Sequence, residues 1–386
     1  MTTSDNNQRI SRLLYGCGAN NYYAINMEVP DPFVWYQDPN GKTHVLLSAL
    51  EVDRGRKHAR VDHVHAMSDF VARLQQKDAD TKLINMIDML IGGNHRVDSI
   101  DVPADFPLGL ADSLRGFGYP VQVCDGRFFT KRHIKTEDEI EKIRAAQALN
   151  EEAFKRAFAI LKDAKIEEDK TLSWQGKPLT AEIVRGEMNG VVARGGGMPS
   201  SCIVACGAQG ADPHERGHGV LKANELIIID SWPRGPHDNF YHGDLTRTVI
   251  KGKASAEQQK LFDAVLAGQE LGLKMMKAGV RAYEVHEAID NYFNEHGYVT
   301  GVNADGLNEG FFHSTGHSIG LEVHDDGPGL AGKNRSDYDL EAGQALTVEP
   351  GLYYPNLGGV RLEDIVVVRP DGIENLTTLP KTLIIE

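Results

Sequence analysis

Apolar positions recur with helical spacing in several stretches of the chain and gather into short runs between them. In the first part, helical spacing predicts helices over Asp69–Gln76 and Leu108–Gly116, and apolar runs predict strands over Thr43–Leu50 and Val121–Cys124. Further along, Thr136 precedes three consecutive acids, a pattern typical of a helix start. This mixture of helices and strands indicates an α/β (α+β) fold.

Helical stretches alternate with strand-like runs in the rest of the chain. The predicted helices are Glu182–Val192, Ala256–Met276 and Ala282–Glu295. The predicted strands are Cys202–Ala205, Glu225–Asp230, Asp244–Ile250, Gln344–Tyr353 and Gly359–Val368. A basic, irregular connection at Arg127–Ile134 comes between the two parts. We therefore expect a smaller N-terminal α/β domain at residues 1–126 and a second domain at residues 127–386.

Composition narrows the classes of function. A chain of 386 residues is long enough for two domains, and its net charge of −14 disfavours nucleic acid and anionic membrane as partners. The start, Met1–Arg12, lacks the apolar stretch of a secretory signal, and no apolar run is long enough to span a bilayer. Four cysteines in so long a chain do not indicate a disulfide framework. We expect a cytoplasmic protein.

Four acidic residues stand within or beside apolar runs of the second domain: Asp230, Asp244, Glu349 and Glu363. The two aspartates are 14 residues apart, and so are the two glutamates. A buried carboxylate without a partner costs on the order of several kcal/mol, so each acid requires a cation or must be protonated. The few arginines nearby cannot match four acids. Divalent metal is the simplest partner for them.

Three histidines follow one another at spacings of four and seven residues: His313, His317 and His324, with Gly316 and Gly320 on either side of the middle one. One neutral imidazole and four carboxylates favour Mn, Fe, Co or Zn over Ca. Four carboxylates also balance two divalent ions, which can lower the pKa of a bound water and polarise a carbonyl. An isolated acid or histidine in such a context is more often structural, so the inference depends on the combination.

Short motifs surround these acids and histidines. They are Asp244-Leu-Thr-Arg-Thr248, His313-x3-His317-x2-Gly320-x3-His324-Asp325, Thr347-Val-Glu349-Pro-Gly351 and Gly359-Val-Arg-Leu-Glu363-Asp364. Together they resemble the motifs of the superfamily of methionine aminopeptidase, aminopeptidase P and prolidase, from about residue 127 to the end. The resemblance implies a C-terminal pita-bread catalytic domain, with two pseudo-symmetric halves around a dinuclear metal site, and an N-terminal domain of creatinase type.

The resemblance also implies the metal site. Its ligands would be Asp230, Asp244, His317, Glu349 and Glu363, holding two divalent ions per chain. Manganese is the first expectation, and cobalt, zinc or iron are alternatives. A homodimer is implied as well, with small peptides as the substrate.

Further roles follow from the same resemblance. Glu349 would take the proton of the nucleophile and pass it to the leaving amine, His324 would stabilise the tetrahedral intermediate, and His214 would lie near the scissile peptide. His313 would lie either on the substrate side or behind the metal ligands, where it would support them. Arg335, 14 residues before Glu349, resembles the arginine with which prolidases bind the substrate carboxylate; the alternative is a solvated loop arginine near two aspartates.

Arg361 is a further site candidate because of its position in the predicted strand. It shares a face with Glu363 by two-residue alternation and would orient that glutamate from the second shell.

The size of the N-terminal domain favours a peptidase that cleaves Xaa-Pro bonds, of aminopeptidase P or prolidase type, over a methionine aminopeptidase. A creatinase-like enzyme and a non-catalytic pita-bread binding protein are disfavoured because the ligand set is complete. The sequence departs from the family at Asp230-Ser-Trp232, where Asp-x-Gly is usual, at Ser314, where glycine is common, and in the longer hairpin over Ser231–Gly243. These departures leave substrate choice open.

Overall fold

The computed structural model describes residues 9–92 and 97–386. The chain divides into two compact units, Met1–Thr130 and Lys131–Glu386. The sequence predicts functional domains at residues 1–126 and 127–386, and this division remains a prediction. Within the described residues, no helix is both long enough and apolar enough to cross a bilayer.

The first unit is built on a mixed six-stranded sheet with the order β4-β3-β2-β1-β5-β6. Its strands are β1 Ile10–Gly16, β2 Phe33–Gln37, β3 Thr43–Leu47, β4 His63–Ala66, β5 Ser99–Val102 and β6 Val121–Val123. Its helices are α1 Ala19–Ile25, α2 Val52–His58, α3 Met67–Gln76, α4 Leu83–Ile91 and α5 Leu108–Gly116. Parallel pairs join β3 to β4, β1 to β5 and β5 to β6, and the two remaining pairs are antiparallel.

Both faces of this sheet are buried. Consecutive residues such as Leu13 and Leu14, or Val34 and Trp35, enter two different hydrophobic clusters on opposite faces. A strand that is buried on both faces is apolar at successive positions and does not alternate with polar residues. The alternation rule therefore does not detect β1 and β2 in the sequence.

The second unit contains two halves, each with a pair of helices packed on strands. The first half holds α6 Glu137–Asp163, β7 Lys165–Ile166, β8 Leu172–Trp174, β9 Lys177–Pro178, α7 Ala181–Arg194, β10 Cys202–Cys206, a 3₁₀ turn over Gly207–Ala211, β11 Ile227–Ser231 and β12 Leu245–Lys251. The second half holds α8 Ala256–Met275, α9 Ala282–Glu295, β13 Gly301–Val302, β14 Asn308–Glu309, α10 Lys333–Ser336, β15 Ala345–Val348, β16 Gly351–Tyr354, β17 Gly358–Arg361, β18 Asp364–Arg369, β19 Gly372–Asn375 and β20 Ile384–Ile385.

Each half has its own hydrophobic core. Helices α6 and α7 pack with β10, β11 and β12 in one cluster, and α8 and α9 pack with the strands from β15 to β18 in another. In the first half the sheet order is β10-β11-β12-β20, with β20 parallel to β12. In the second half β15, β18 and β19 form one antiparallel sheet, and β16 and β17 form a hairpin.

Helix α6 begins where the sequence predicts. The Thr136 side chain accepts a hydrogen bond from the Glu139 backbone N–H, and the Glu139 carboxylate accepts from the Thr136 N–H at 2.8 Å. This reciprocal capping box satisfies two donors that the first helical turn leaves without partners. Helices α5 and α9 have the predicted bounds, and α8 ends one residue earlier than predicted.

Two predicted strands are each interrupted at a glutamate. The run Gln344–Tyr353 is split into β15 and β16 at Glu349 and Pro350, and the run Gly359–Val368 is split into β17 and β18 at Leu362 and Glu363. Pro350 explains the first interruption, because proline has no N–H to donate to a neighbouring strand. The strand predicted over Thr43–Leu50 is shorter in the structure. Strand β3 ends at Leu47, and the turn that follows it leads into α2.

Candidate active site

The two aspartates lie on one face of an antiparallel strand pair. Asp230, in β11, is directly opposite Thr246 in β12. Asp244 precedes Thr246 by two residues and therefore points to the same side of the sheet. The Asp244 N–H donates to the Gln147 side chain at 2.9 Å, which ties this strand start to helix α6. The pairing of β11 and β12 thus brings both carboxylates together.

The two glutamates stand at the interruptions of the second-half strands. The Glu349 N–H donates to the Thr315 carbonyl at 2.7 Å, and the Glu363 N–H donates to the Thr246 carbonyl at 3.1 Å. The Thr246 hydroxyl also donates to the Glu363 carboxylate at 2.8 Å. Each glutamate backbone thus bonds outside its own sheet. Thr246 joins the strand of one half to the acid of the other, a role that sequence reasoning missed although Thr246 shares its face with Asp244.

His317 completes the cluster from a loop. A side chain at Gly316 would place its Cβ 1.9 Å from the Thr347 carbonyl oxygen, so only glycine permits this approach. Nδ1 of His317 lies 3.1 Å from the Ser318 carbonyl, which directs Nε2 toward the acids. Nε2 is 3.6 Å from Asp244 and 3.4 Å from Glu349. Ligand atoms of Asp244, His317 and Glu363 all lie within 4.8 Å of one another.

The electrostatics of this cluster favour either a bound cation or protonated acids. Burial, followed by repulsion from the neighbouring carboxylates, raises the pKa values of Asp244 and Glu363 well above their usual range. Burial also raises the pKa of Glu349 to about 8. Burial lowers the pKa of His317 to about 4, so its imidazole is neutral at pH 7 and free to act as a ligand.

One further observation fits a metal. Oδ1 of Asp230 is buried and, among residues 9–92 and 97–386, has no hydrogen-bond partner, whereas its Oδ2 accepts from the Arg361 guanidinium at 2.5 Å. An unpaired buried carboxylate oxygen is costly unless a cation binds it. The residues present therefore fit divalent ions: carboxylate oxygens together with a neutral imidazole are the donor set of a first-row metal site.

Arg361 acts on a different acid from the one expected. Its guanidinium donates to Asp230 and, at 2.9 Å, to the Tyr353 hydroxyl. It reaches Glu363 through the Thr246 hydroxyl, which lies 3.3 Å from its Nε. Tyr353, which is fully buried, was not predicted as part of the site; its hydroxyl also lies 2.9 Å from Nε2 of His313. No short motif marks this tyrosine.

The acids and histidines line one cavity of about 930 Å³ within the second unit. The other residues singled out in the sequence also line it: His214, His313, His324, Arg335 and Arg361. The ring of His324 lies 4.3 Å from that of His317, centroid to centroid. Trp232, at the position where glycine is usual, lines the cavity too, next to Ile203 and Phe312.

Arg335 is exposed at the end of the short helix α10. The two aspartates proposed as its solvated neighbours, Asp337 and Asp339, instead face Arg281, at 3.6 and 3.2 Å. Arg335 lines the cavity, and these two acids are paired with a different arginine.

The geometry fits a divalent-metal site, and comparison with known proteins identifies the class of protein. A model of metallopeptidase family M24 matches residues 141–370. A probable dipeptidase, PepE, of Mycobacterium tuberculosis is 30% identical over 351 residues, which are 89% of this chain and 83% of that protein. An Xaa-Pro dipeptidase of Pyrococcus furiosus is 31% identical over 263 residues, which are 66% of this chain and 65% of that protein. The chain belongs to metallopeptidase family M24.

The solved structures agree on the fold. The crystal structure of the prolidase from Pyrococcus horikoshii superposes with a TM-score of 0.79 at 23% identity, and the match covers 98% of this chain and 96% of that one. The expected architecture, a pita-bread catalytic domain preceded by an N-terminal α/β domain, is confirmed by this match. The chain is thus a metallopeptidase that uses divalent metal, and its substrate is a peptide.

Proposed function

We propose that this chain hydrolyses the peptide bond before proline in dipeptides or short peptides, and that it uses two divalent metal ions. The observation that carries the proposal is the convergence of buried Asp244 and Glu363 with half-buried His317 in one cavity, with Asp230 and Glu349 beside them. The choice of Xaa-Pro bonds rests on relatives that are named as Xaa-Pro dipeptidase and prolidase. We propose manganese first, with cobalt, zinc or iron as alternatives.

The five ligand residues, Asp230, Asp244, His317, Glu349 and Glu363, would hold both ions. Metal ions bound there supply Lewis acidity to the scissile carbonyl and a nucleophile at neutral pH. Glu349 receives the nucleophile's proton and passes it to the leaving amine.

The histidines act on the substrate side. His324 donates a hydrogen bond to the oxygen that becomes negative in the transition state. His214 follows Asp212 in a turn in which its N–H donates to the aspartate side chain at 3.0 Å, and we place it beside the scissile bond. The Tyr353 hydroxyl forms a hydrogen bond with Nε2 of His313, which fixes the ring. His313 would contact the bound peptide.

Arg335 would bind the free carboxylate of a dipeptide. A guanidinium matches a carboxylate with two parallel hydrogen bonds, and the acids nearby are already paired with Arg281.

We also propose a homodimer in the cytoplasm, with a functional boundary near residue 127. All four cysteines are free thiols, as a reducing compartment favours.

One assay tests the substrate class. Metal-free protein is reloaded with Mn²⁺ and tested against an Xaa-Pro dipeptide, an Xaa-Pro-Yaa tripeptide and a Met-initiated peptide without proline. Asp244→Asn, prepared in parallel, shows that any activity belongs to this site and not to a contaminating peptidase. We expect cleavage of the proline peptides only. Cleavage of the Met-initiated peptide alone would replace this proposal with a methionine aminopeptidase.

A further inference from the structure

We propose that Asp325 is a positioning residue for His324, held in place by Lys135 and Arg132 from the segment just before helix α6. This inference rests on the proposed function, because it assigns Asp325 an effect that acts through His324. We call residues 317–325 the histidine loop, since His317 and His324 stand near its two ends.

The first observation is a buried ion cluster. The Asp325 side chain is 1% exposed, and its Oδ2 accepts from the Lys135 ammonium at 2.8 Å, while its Oδ1 accepts from the Arg132 guanidinium. The Lys135 side chain is 1% exposed and that of Arg132 is 3% exposed. The Lys135 ammonium also donates to the Arg132 carbonyl at 3.0 Å. Because both carboxylate oxygens are occupied, Asp325 has one orientation.

The second observation is a shared acceptor. The Asp325 N–H donates to the Ser318 carbonyl at 2.9 Å, and Nδ1 of His317 lies 3.1 Å from the same oxygen. The loop therefore closes on itself, with Asp325 bonded to the group that orients His317. The neighbouring His324 ring contacts the His317 ring at 4.3 Å. A displacement of Asp325 would move His324 directly.

The third observation explains a glycine of the motif. A Cβ at Gly320 would lie 2.1 Å from Oδ2 of Asp325 and 3.0 Å from Cε of Lys135. The backbone at Gly320 therefore passes so close to the Lys135–Asp325 pair that a larger residue there would push the two side chains apart. The Gly320 carbonyl also accepts from the His242 N–H at 2.8 Å, which fixes the middle of the loop to the long hairpin.

The anchor of the cluster is rigid. The Lys135 N–H donates to the Gly343 carbonyl at 2.8 Å, and Thr136, the next residue, caps α6. The positive charges thus come from the segment that leads directly into a 27-residue helix with a buried face. The distance in sequence between Lys135 and Asp325, 190 residues, explains why no local motif shows the pair.

The first experiment removes one charge of the cluster. Lys135→Met keeps the length of the side chain but leaves half of the Asp325 carboxylate unpaired, and we expect kcat to fall about tenfold, since small misplacements of catalytic groups cost up to about 100-fold. The metal content and KM should stay within about twofold of the parent values, because the substitution leaves the four proposed carboxylate ligands and the contact of His317 Nδ1 with the Ser318 carbonyl in place. Lys135→Arg should recover most of the activity.

The second experiment distinguishes positioning from general destabilisation. In a His324→Ala background, Lys135→Met should lower kcat less than twofold, because the residue through which it acts is gone. Arg156→Met is the matched control: it removes an ion pair with Glu187 at 2.8 Å between α6 and α7 in the same unit. We expect it to change kcat less than twofold in either background. Equal losses from Lys135→Met in both backgrounds would overturn the proposal.

A third measurement does not depend on activity. Amide hydrogen exchange in residues 317–325 should rise at least about tenfold in Lys135→Met and remain at the parent rate in Arg156→Met. An unchanged exchange rate in Lys135→Met would refute the proposal that Lys135 holds Asp325 in place, even if the protein hydrolyses none of the peptides. An inactive parent with the expected exchange pattern would instead refute only the proposed function.

Discussion

Removal of the metal ions should leave carboxylates facing one another, and the structure indicates how the stability of the metal-free protein then depends on pH. Burial raises the pKa of Glu349 from 4.5 to about 8, so the folded metal-free state binds a proton that the unfolded chain releases. Its contribution to stability is therefore present below pH 4.5 and is lost as the pH rises through 8. The raised pKa values of Asp244 and Glu363 have the same sign.

The size of the effect follows from linkage. When only the folded state binds a given proton, the free energy of unfolding falls by about 1.4 kcal/mol for each unit of rising pH. Glu349 alone therefore accounts for a loss of roughly 5 kcal/mol between pH 4.5 and pH 8. His317 acts in the opposite direction. Its pKa is lowered from 6.5 to about 4, so its stabilising contribution is lost as the pH falls and is complete above pH 6.5. Between pH 6.5 and pH 8 the acids therefore dominate, with a loss of about 2 kcal/mol from Glu349.

The assay is denaturant unfolding of exhaustively dialysed protein at pH 6.5, 7.25 and 8. Asp244→Asn removes one of the repelling charges, and the metal-free variant should exceed the metal-free parent by at least about 1 kcal/mol at pH 8. Metal-loaded parent should be more stable than either, because the ions bind the folded state. A metal-free stability that is constant or rises from pH 6.5 to pH 8, with no gain from Asp244→Asn, would refute the reasoning.

Further predictions concern catalysis and metal binding. Asp244→Asn should lose metal and activity together, as measured by elemental analysis and peptide hydrolysis; a fully active variant would exclude Asp244 as a ligand. His324→Ala should keep its metal and lose roughly 10²–10³-fold in kcat, the scale of one transition-state donor, and an equal loss of metal would show that it is a ligand instead. Arg335→Ala should raise KM for Xaa-Pro dipeptides roughly tenfold or more and leave C-terminally amidated peptides unchanged, with Arg281→Ala as the control. Equal effects on both substrates would place Arg335 outside the carboxylate site.

The acids could be recognised from sequence because a charge within an apolar run is conspicuous. Asp230 ends such a run and Asp244 opens the next one; in the structure Asp230 is the last residue but one of β11 and Asp244 directly precedes β12. The interruption at Glu349 could have been foreseen from Pro350. The one at Glu363 could not, because its N–H bonds to Thr246, more than 100 residues earlier in the chain.

The parts of the site that escaped prediction are those that depend on long-range contacts. The role of Tyr353 depends on His313 and Arg361, which approach it only after folding. The Lys135–Asp325 pair joins residues that are 190 positions apart in the sequence. A one-dimensional pattern shows which residue types are present, whereas these pairings follow from the path of the chain between them.

The pairing of β20 with β12 has a consequence for biosynthesis. Ile384 and Ile385 supply the outer partner of the strand that begins beside Asp244, and Glu363 also lies near the end of the described chain. Domains generally fold from the N-terminus as the ribosome delivers them, so the first unit can fold while the second is still being made. The metal centre cannot form at that stage, because its ligands extend along the second unit from Asp230 to Glu363. Binding of metal by the full ligand set must therefore wait until Glu363 has left the ribosome, which is later than the folding of the first unit.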